Sequence, residues 1–138
     1  MNASTQPPIT MSSLDWERLD RLLENPTYSR MPGMDALQTE MNRANVVEPT
    51  EVPPEVVTMN STVEFINDKT NQTFEMTLVY PDAVSGTDTV SVFAPVGSAL
   101  LGLSVGQSII WQIPGGRELS LRVLRVVRQP EAMGEFHR

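Results

Sequence analysis

The stretch 91–127, SVFAPVGSALLGLSVGQSIIWQIPGGRELSLRVLRVV, decides the fold class of this chain. Apolar and polar residues alternate at 109–113 and again at 119–127, and this period of two predicts two β-strands. The Pro-Gly-Gly-Arg sequence between them predicts the tight turn of a hairpin. A short helix is predicted at 95–101, because a proline suits its first position and a glycine follows its end.

Two further runs with the same period lie upstream. The alternation at 63–65 and at 74–80 predicts an antiparallel pair of strands, joined by a polar turn at 67–72. Another short strand is predicted at 89–93. Residues 56–130 are therefore expected to form an antiparallel sheet of four or five strands with one short helix, which is an α+β domain.

The N-terminal part of the chain has a helical period instead. Over 12–25, leucines and a tryptophan recur at spacings of three and four, which predicts an amphipathic helix with Ser12 and Asp15 as a capping pair. A second amphipathic helix is predicted at 34–45. The breaker-rich sequence between them, NPTYSRMPG, predicts a tight turn. Residues 12–47 are therefore predicted to form a short antiparallel helical hairpin, roughly 20 Å long.

The remaining segments separate and flank these two units. Residues 48–55, EPTEVPPE, contain three prolines and predict a stiff, extended linker between the hairpin and the sheet domain. Residues 1–11 are predicted to be a disordered N-terminus, and residues 131–138 a tail.

The composition excludes several classes of function. The 138 residues include no cysteine and one histidine, His137, so disulfides, thiolate metal sites and a cysteine nucleophile are excluded. A catalytic triad or a multi-histidine metal site is not expected, and neither a metal nor a cofactor is predicted. Acidic residues outnumber basic residues by 17 to 10, and the net charge of -7 argues against a broad phosphate-binding surface. We expect no sequence-specific DNA binding, no membrane segment and a cytoplasmic location.

Two patterns resemble binding sites but are explained better by structure. Gly97 and Gly102 have the spacing of a phosphate-binding loop, but Leu103 stands where that loop requires a lysine. The two glycines are therefore predicted to bracket a buried helix. The acidic residues of the first helix, Asp20 and Glu24 among them, alternate with arginines and predict a solvated helix face.

The arginines and tryptophans do not suggest a nucleic-acid surface. Arg122, Arg125 and Arg128 are three apart, so they are predicted to lie on opposite sides of a strand rather than in one stripe. Trp16 and Trp111 fall in apolar registers and are predicted to lie in the core rather than to stack on bases.

Several motifs resemble a known family. The stretch 91–127 is similar to the C-terminal domain of the Gre transcript-cleavage factors, with its strand, proline, small-residue helix, Val-Gly turn and Pro-x-Gly before a final strand. The runs LLENPTY at 22–28, PPEVVTMN at 53–60, LVYP at 78–81 and APVGSALLGL at 94–103 resemble a narrower branch, the Rnk-type regulators of nucleoside diphosphate kinase.

The resemblance implies a fold, a partner and a mode of action. It implies an FKBP-like C-terminal domain and a bacterial protein that binds RNA polymerase at the rim of the secondary channel. Gre factors insert a long hairpin with two acidic tip residues, which help to hold a catalytic metal and promote cleavage of backtracked RNA. Rnk-like proteins have a shorter hairpin and are thought to compete with Gre-type and DksA-type factors without cleaving.

Two sets of candidate site residues follow from the resemblance. The loop that contacts polymerase in Gre factors corresponds to Phe93, Ala94 and Pro95, with an apolar character in place of the polar one. Phe93 is expected either to anchor the interface or to point into the sheet core. At the predicted hairpin tip, Tyr28 and Arg30 either touch polymerase or cap the hairpin. The tip sequence has no acidic residue, which predicts that cleavage activity is absent.

Alternative functions remain open at this point. A peptidyl-prolyl isomerase is one, since the implied fold family includes such enzymes, but fold alone does not imply function. A direct partner of nucleoside diphosphate kinase is another; an indirect effect on the level of the kinase suits the residues better. We therefore predict a monomeric transcription regulator that is not an enzyme.

Overall fold

The fold is described from a computed structural model, in which residues 8–31, 34–86, 88–113 and 117–135 are described. The α-helices in these ranges are α1 (Ser13–Leu23), α2 (Pro26–Ser29), α3 (Met34–Arg43) and α4 (Pro95–Leu100). The strands are β1 (Thr10–Ser12), β2 (Asn45–Val47), β3 (Thr62–Asn67), β4 (Gln72–Val79), β5 (Thr89–Ser91), β6 (Ser108–Ile113) and β7 (Arg117–Arg128). The chain is a mixed α+β protein.

The main sheet has five strands in the order β5-β4-β3-β7-β6. The pairs β3–β4, β3–β7 and β6–β7 are antiparallel, as expected. The pair β4–β5 is parallel, so the prediction of an entirely antiparallel sheet was wrong. The reason is that the chain returns alongside β4 before β5 begins at Thr89, and alternation within a strand does not indicate its direction. The predicted Pro-Gly-Gly turn at 114–116 lies outside the described residues.

Residues near the N-terminus also differ from the prediction. The segment predicted as disordered, 1–11, is ordered where it is described near its end: β1 pairs in parallel with β2, and Ile9 and Met11 are 3% and 1% exposed. Thr10 also donates its backbone N–H to the carbonyl of Gly102 at 3.1 Å. A three-residue strand is too short to show a period, so tertiary contacts rather than local pattern determine it.

The capping pair predicted for the first helix is present. The backbone N–H of Asp15 donates to Ser12 Oγ at 3.0 Å and starts α1. Where a turn was predicted, Asn25 caps the short helix α2 through a 2.9 Å bond from the backbone N–H of Thr27 to Asn25 Oδ1. The Trp16 indole N–H donates to the carbonyl of Met41 at 2.9 Å and ties α1 to α3. At 11 residues, α1 is about 16 Å long.

One hydrophobic core joins the helical part to the sheet. It includes Leu19 of α1, Leu37 of α3, Leu100 of α4, and Phe65 and Leu121 of the sheet. The core accounts for the burial of Trp111 as predicted, and Trp16 packs against it. The division into a hairpin and an FKBP-like domain stays a prediction.

The proline-rich segment 48–55 is fixed to the sheet part at its second half. Val52 is buried, and Gln129 Nε2 donates to the carbonyls of Pro53 and Val56 at 2.8 Å each. The described part of the predicted tail is also attached, since Glu131 accepts a 2.7 Å bond from Thr58 Oγ1. Residues 136–138 lie outside the described residues.

Three arginines of β7 share one face of the sheet, so the prediction that they lie on opposite sides was wrong. Arg122, Arg125 and Arg128 stand opposite Ile66, Glu64 and Thr62 of β3, which alternate along that strand. Two register shifts leave Leu124 and Val127 without a partner on β3. Each bulge inserts one extra residue, so a spacing of three in sequence acts as a spacing of two on the sheet.

Candidate partner-binding site

The loop between β5 and α4 carries three of the predicted site residues. Ala94 is the N-cap of α4 and Pro95 is its first residue. Proline suits this position because the first backbone N–H of a helix has no acceptor within the helix, so its absence costs no hydrogen bond. The loop is held from both sides: the backbone N–H of Phe93 donates to Ser91 Oγ at 3.0 Å, and Ser98 Oγ donates to the carbonyl of Val92 at 2.7 Å. These bonds make the loop a rigid feature of the surface.

Gly97 allows α4 to press against this loop. A Cβ atom added at Gly97 would lie 2.0 Å from the carbonyl oxygen of Ser91, a distance that no real side chain occupies. The residue is therefore needed for close packing of helix and strand, and not for a phosphate. This observation agrees with the prediction that Gly97 and Gly102 bracket a buried helix, since both are buried.

Phe93 is a buried residue that holds the helical part against the loop. Its side chain is 4% exposed, and its ring lies 5.2 Å from that of Tyr28, centroid to centroid, with a tilt of 51°. This separation and tilt are typical of a favourable aromatic pair. Of the two alternatives for Phe93, the structure therefore shows the buried one, because its burial removes a large apolar surface from water.

Tyr28 and the loop form one groove on the surface. Its volume is about 520 Å³, and its walls are almost entirely apolar. The lining residues come from the α2 region, from the end of β4 and from the loop: Tyr28, Met31, Pro81, Ser91, Phe93, Ala94 and Pro95. Two segments that are more than 60 positions apart in sequence, and that were predicted separately as contact segments, therefore meet in one place.

Arg30 lies beside this groove rather than in its wall. Its backbone N–H donates to the carbonyl of Pro26 and ends α2, while its side chain is exposed. In the part of the chain that the structure describes, Arg30 forms no ion pair. The backbone N–H of Arg30 thus ends α2, and the two roles predicted for this residue at the tip stay predictions.

Asp15 is a buried acidic residue, although the acidic residues of the first helix were predicted to lie on a solvated face. It is 2% exposed, and its Oδ2 accepts a 3.1 Å hydrogen bond from the backbone N–H of Met59. Burial, together with the nearby negative charge of Glu131, raises the pKa of this carboxyl to about 7, against the lowering effects of the hydrogen bond from Met59 and the charge of Arg18. Asp15 joins α1 to the sheet part, whereas Asp20 and Glu24 are exposed as predicted.

A second pocket lies between the sheet and α4. Its volume is about 200 Å³, and it includes the stacked rings of Phe65 and Phe74, whose centroids are 5.4 Å apart. This volume is below the roughly 300 Å³ at which small-molecule sites begin. A substrate pocket of an isomerase is therefore not supported by its size.

The described ranges contain no group of three or more histidine, aspartate or glutamate side chains that could hold a metal ion. Within the same ranges, no helix is long and apolar enough to cross a membrane.

Comparisons with known proteins identify the family. The family model for the C-terminal part of the transcription elongation factors GreA/GreB matches residues 52–128, and the model for the Rnk N-terminus matches residues 7–47. This chain belongs to the GreA/GreB family. Within that family, the N-terminal match assigns it to the Rnk branch, as the sequence motifs predicted.

Individual relatives support the same assignment. The Regulator of nucleoside diphosphate kinase of Escherichia coli K12 is 48% identical over 133 residues, which cover 96% of this chain and 98% of the relative. Transcription elongation factor GreA of Solidesulfovibrio magneticus is 34% identical over 82 residues, which cover 59% of this chain and half of that factor. This GreA/GreB-family chain therefore shares nearly its whole length with the regulator and only part of it with the elongation factor.

A solved structure agrees with the fold. A prokaryotic transcription elongation factor GreA/GreB from Nitrosomonas europaea is 49% identical to this chain and superimposes with a TM-score of 0.71. The match covers 89% of this chain and all of that one. This GreA/GreB-family member therefore has a GreA/GreB-like structure.

Proposed function

We propose that this chain is a transcription regulator that binds RNA polymerase at the rim of the secondary channel and competes there with Gre-type and DksA-type factors, without stimulating RNA cleavage. The observation that carries the proposal is the contact between Tyr28 and Phe93. It joins the tip of the helical part to the loop that corresponds to the polymerase-contacting loop of Gre factors. We infer that both segments act as one binding site.

The geometry indicates how the contact is made. Because Phe93 is buried against Tyr28, it does not project into the partner. Instead, the groove lined by Tyr28, Ala94 and Pro95 receives an apolar side chain of polymerase. A pre-formed apolar pocket of this kind is the usual place for a residue that contributes most of the binding energy.

The tip explains why cleavage is not expected. Residues 25–34 contain no aspartate or glutamate, so they cannot supply the carboxylate oxygens that bind Mg²⁺. The helix that leads to the tip, α1, is only about 16 Å long. A short arm without carboxylates occupies the entrance of the channel and adds no catalytic group at its end.

The link to nucleoside diphosphate kinase comes from the name of the Escherichia coli relative. We propose that the link is indirect and acts through the level of the kinase, in a monomeric protein of the cytoplasm. A pull-down with purified kinase tests this part: capture of the kinase by the chain would contradict the indirect route.

Ala94 offers a variant that separates folding from binding. As the N-cap of α4 it makes no side-chain cap bond, and aspartate is a favoured N-cap residue, so Ala94→Asp should keep or raise stability by about 1 kcal/mol. The same change places a charge in the wall of the apolar groove. We expect binding to core RNA polymerase, measured by fluorescence anisotropy, to weaken at least tenfold.

The matched control is Ala94→Ser, which also caps the helix but adds no charge. We expect Ala94→Ser to bind within about twofold of the parent chain, since serine is small and neutral. Unchanged binding by a folded Ala94→Asp protein would remove the groove from the proposed site.

A further inference from the structure

Four basic residues of the sheet part are already paired with acidic residues. Lys69 pairs with Glu118, Arg122 with Asp68, Arg125 with Glu64, and Arg128 with Glu135. In the helical part, Arg43 pairs with Glu40. The outer face of the sheet is thus neutralised by its own acids, despite the row of arginines that the two bulges create.

Three arginines in the described ranges form no such pair: Arg21, Arg30 and Arg117. All three are exposed. Arg30 follows Tyr28 by two residues and precedes Met31, and both of these line the groove. One unpaired cation therefore lies at the α2 side of the groove.

Arg21 lies in a cleft next to the groove. It lines a cleft of about 380 Å³ together with Tyr80 and Asp82. Pro81, the residue between these two, lines the groove itself. The cleft and the groove are therefore neighbours along the segment 80–82, with Arg21 in the cleft and Arg30 beside the groove.

Arg117 is remote from this surface. It lies at the start of β7, opposite Ile113 of β6. The groove includes Ser91 of β5, at the opposite edge of the sheet. Strands are about 4.8 Å apart, so the three steps from β5 to β7 place Arg117 about 14 Å or more from the groove.

We propose that the segment of polymerase that occupies the groove is acidic, with an apolar side chain in the groove and flanking carboxylates that pair with Arg21 and Arg30. This inference rests on the proposed function and specifies the chemistry of its partner. The chain as a whole carries a net charge of -7, so we expect an acidic partner to be attracted only where cations are not neutralised by neighbouring acids. Such complementarity directs the partner to one place and one orientation.

Reversing the charge of each arginine tests whether the partner segment is acidic, as inferred, or basic. We expect Arg30→Glu and Arg21→Glu each to weaken binding to core RNA polymerase roughly threefold to tenfold at low salt, and the double variant to weaken it further. The effect should shrink at 0.5 M salt, where exposed charges are screened. Neither arginine forms an ion pair in the described residues, so Arg30→Glu should melt at the same temperature as the parent. Arg21→Glu should melt slightly lower, because Arg21 lies in the last turn of α1, where a positive charge is favoured.

Arg117→Glu is the matched control, because it makes the same change of charge at an exposed, unpaired and remote site. It should bind within about twofold of the parent chain. Tighter binding by Arg21→Glu and Arg30→Glu would indicate a basic partner and overturn the inference. Binding equal to that of Arg117→Glu would also overturn it while leaving the proposed function in place, whereas a parent chain that does not bind polymerase would overturn both.

Discussion

The carboxyl group of Asp15 lies where α1 meets the sheet part, and its Oδ2 accepts a hydrogen bond from the backbone N–H of Met59 at 3.1 Å. Glu131 is close enough to raise its pKa, and Thr58 joins Glu131 to Ser61 through bonds of 2.7 and 2.8 Å. A buried carboxyl in this setting fixes the helical part relative to the sheet. The groove depends on that placement, because Tyr28 belongs to the helical part and Ala94 and Pro95 belong to the sheet part.

The raised pKa of Asp15 predicts a specific dependence of stability on pH. The pKa is about 7 in the folded protein and 3.8 in the reference state, so between these values the folded protein binds the proton more strongly. The free energy of unfolding should therefore fall as pH rises from about 4 to about 7, by up to about 4 kcal/mol from this group. Urea denaturation at pH 5 and pH 8 measures the change.

The variant Asp15→Asn should remove this contribution while keeping an oxygen that accepts from Met59. We expect the variant to lose less stability than the parent between pH 5 and pH 8. Asp20→Asn, exposed on the same helix, should behave like the parent. Equal pH dependence in the parent and in Asp15→Asn would show that Asp15 does not titrate in this range.

At the scale of elements, α4 can pack against the loop between β5 and α4 only because Gly97 has no side chain. In a helix, replacing glycine by alanine ordinarily stabilises by about 1 kcal/mol. At Gly97 we expect the opposite sign, a loss of about 3 kcal/mol, because the new Cβ would lie 2.0 Å from the carbonyl oxygen of Ser91. Thermal unfolding and polymerase binding should both be impaired by Gly97→Ala.

Gly106→Ala is a suitable control for this prediction. Gly106 has a φ of +88° but no atom within 4 Å of an added Cβ, so the cost is only the backbone strain of about 1 to 2 kcal/mol. Binding to polymerase should be unchanged. A Gly97→Ala protein more stable than the parent would contradict the packing described for α4.

The elements also show what sequence patterns can and cannot predict. The period of two in β3, β4, β6 and β7 predicted these strands, because one face of each is buried. The position of α4 was predicted from its proline and glycine. The direction of β5, the strand β1 and the common face of Arg122, Arg125 and Arg128 were not, since they depend on crossing loops, distant pairing and bulges that leave no local signal.

The candidate site was predicted in part for the same reason. The motifs indicated Tyr28 and Phe93 as separate candidates, but only the folded chain brings their rings within 5.2 Å. The burial of Asp15 was missed because its partner, Met59, is 44 positions away. A buried acid on an otherwise charged helix has no sequence signal of its own.

At the scale of the whole molecule, charge and shape divide the surface into two regions. The sheet face carries basic residues that are paired with acids, and the groove face carries apolar walls bordered by Arg21 and Arg30. The arm that leads to the groove is short and has no acidic residue at its tip. Together these features support the proposal that the protein occupies a binding site shared with Gre factors without promoting RNA cleavage there.

RNA cleavage in backtracked elongation complexes tests this central claim most directly. The complexes receive a fixed amount of a cleavage-competent Gre factor and increasing amounts of this chain, with the folded Ala94→Asp variant as a control. We predict that the chain slows cleavage, that further Gre factor restores the rate, and that the chain alone leaves cleavage at its intrinsic level. Stimulated cleavage by the chain alone, or an unchanged rate at a saturating concentration of the chain, would contradict the account.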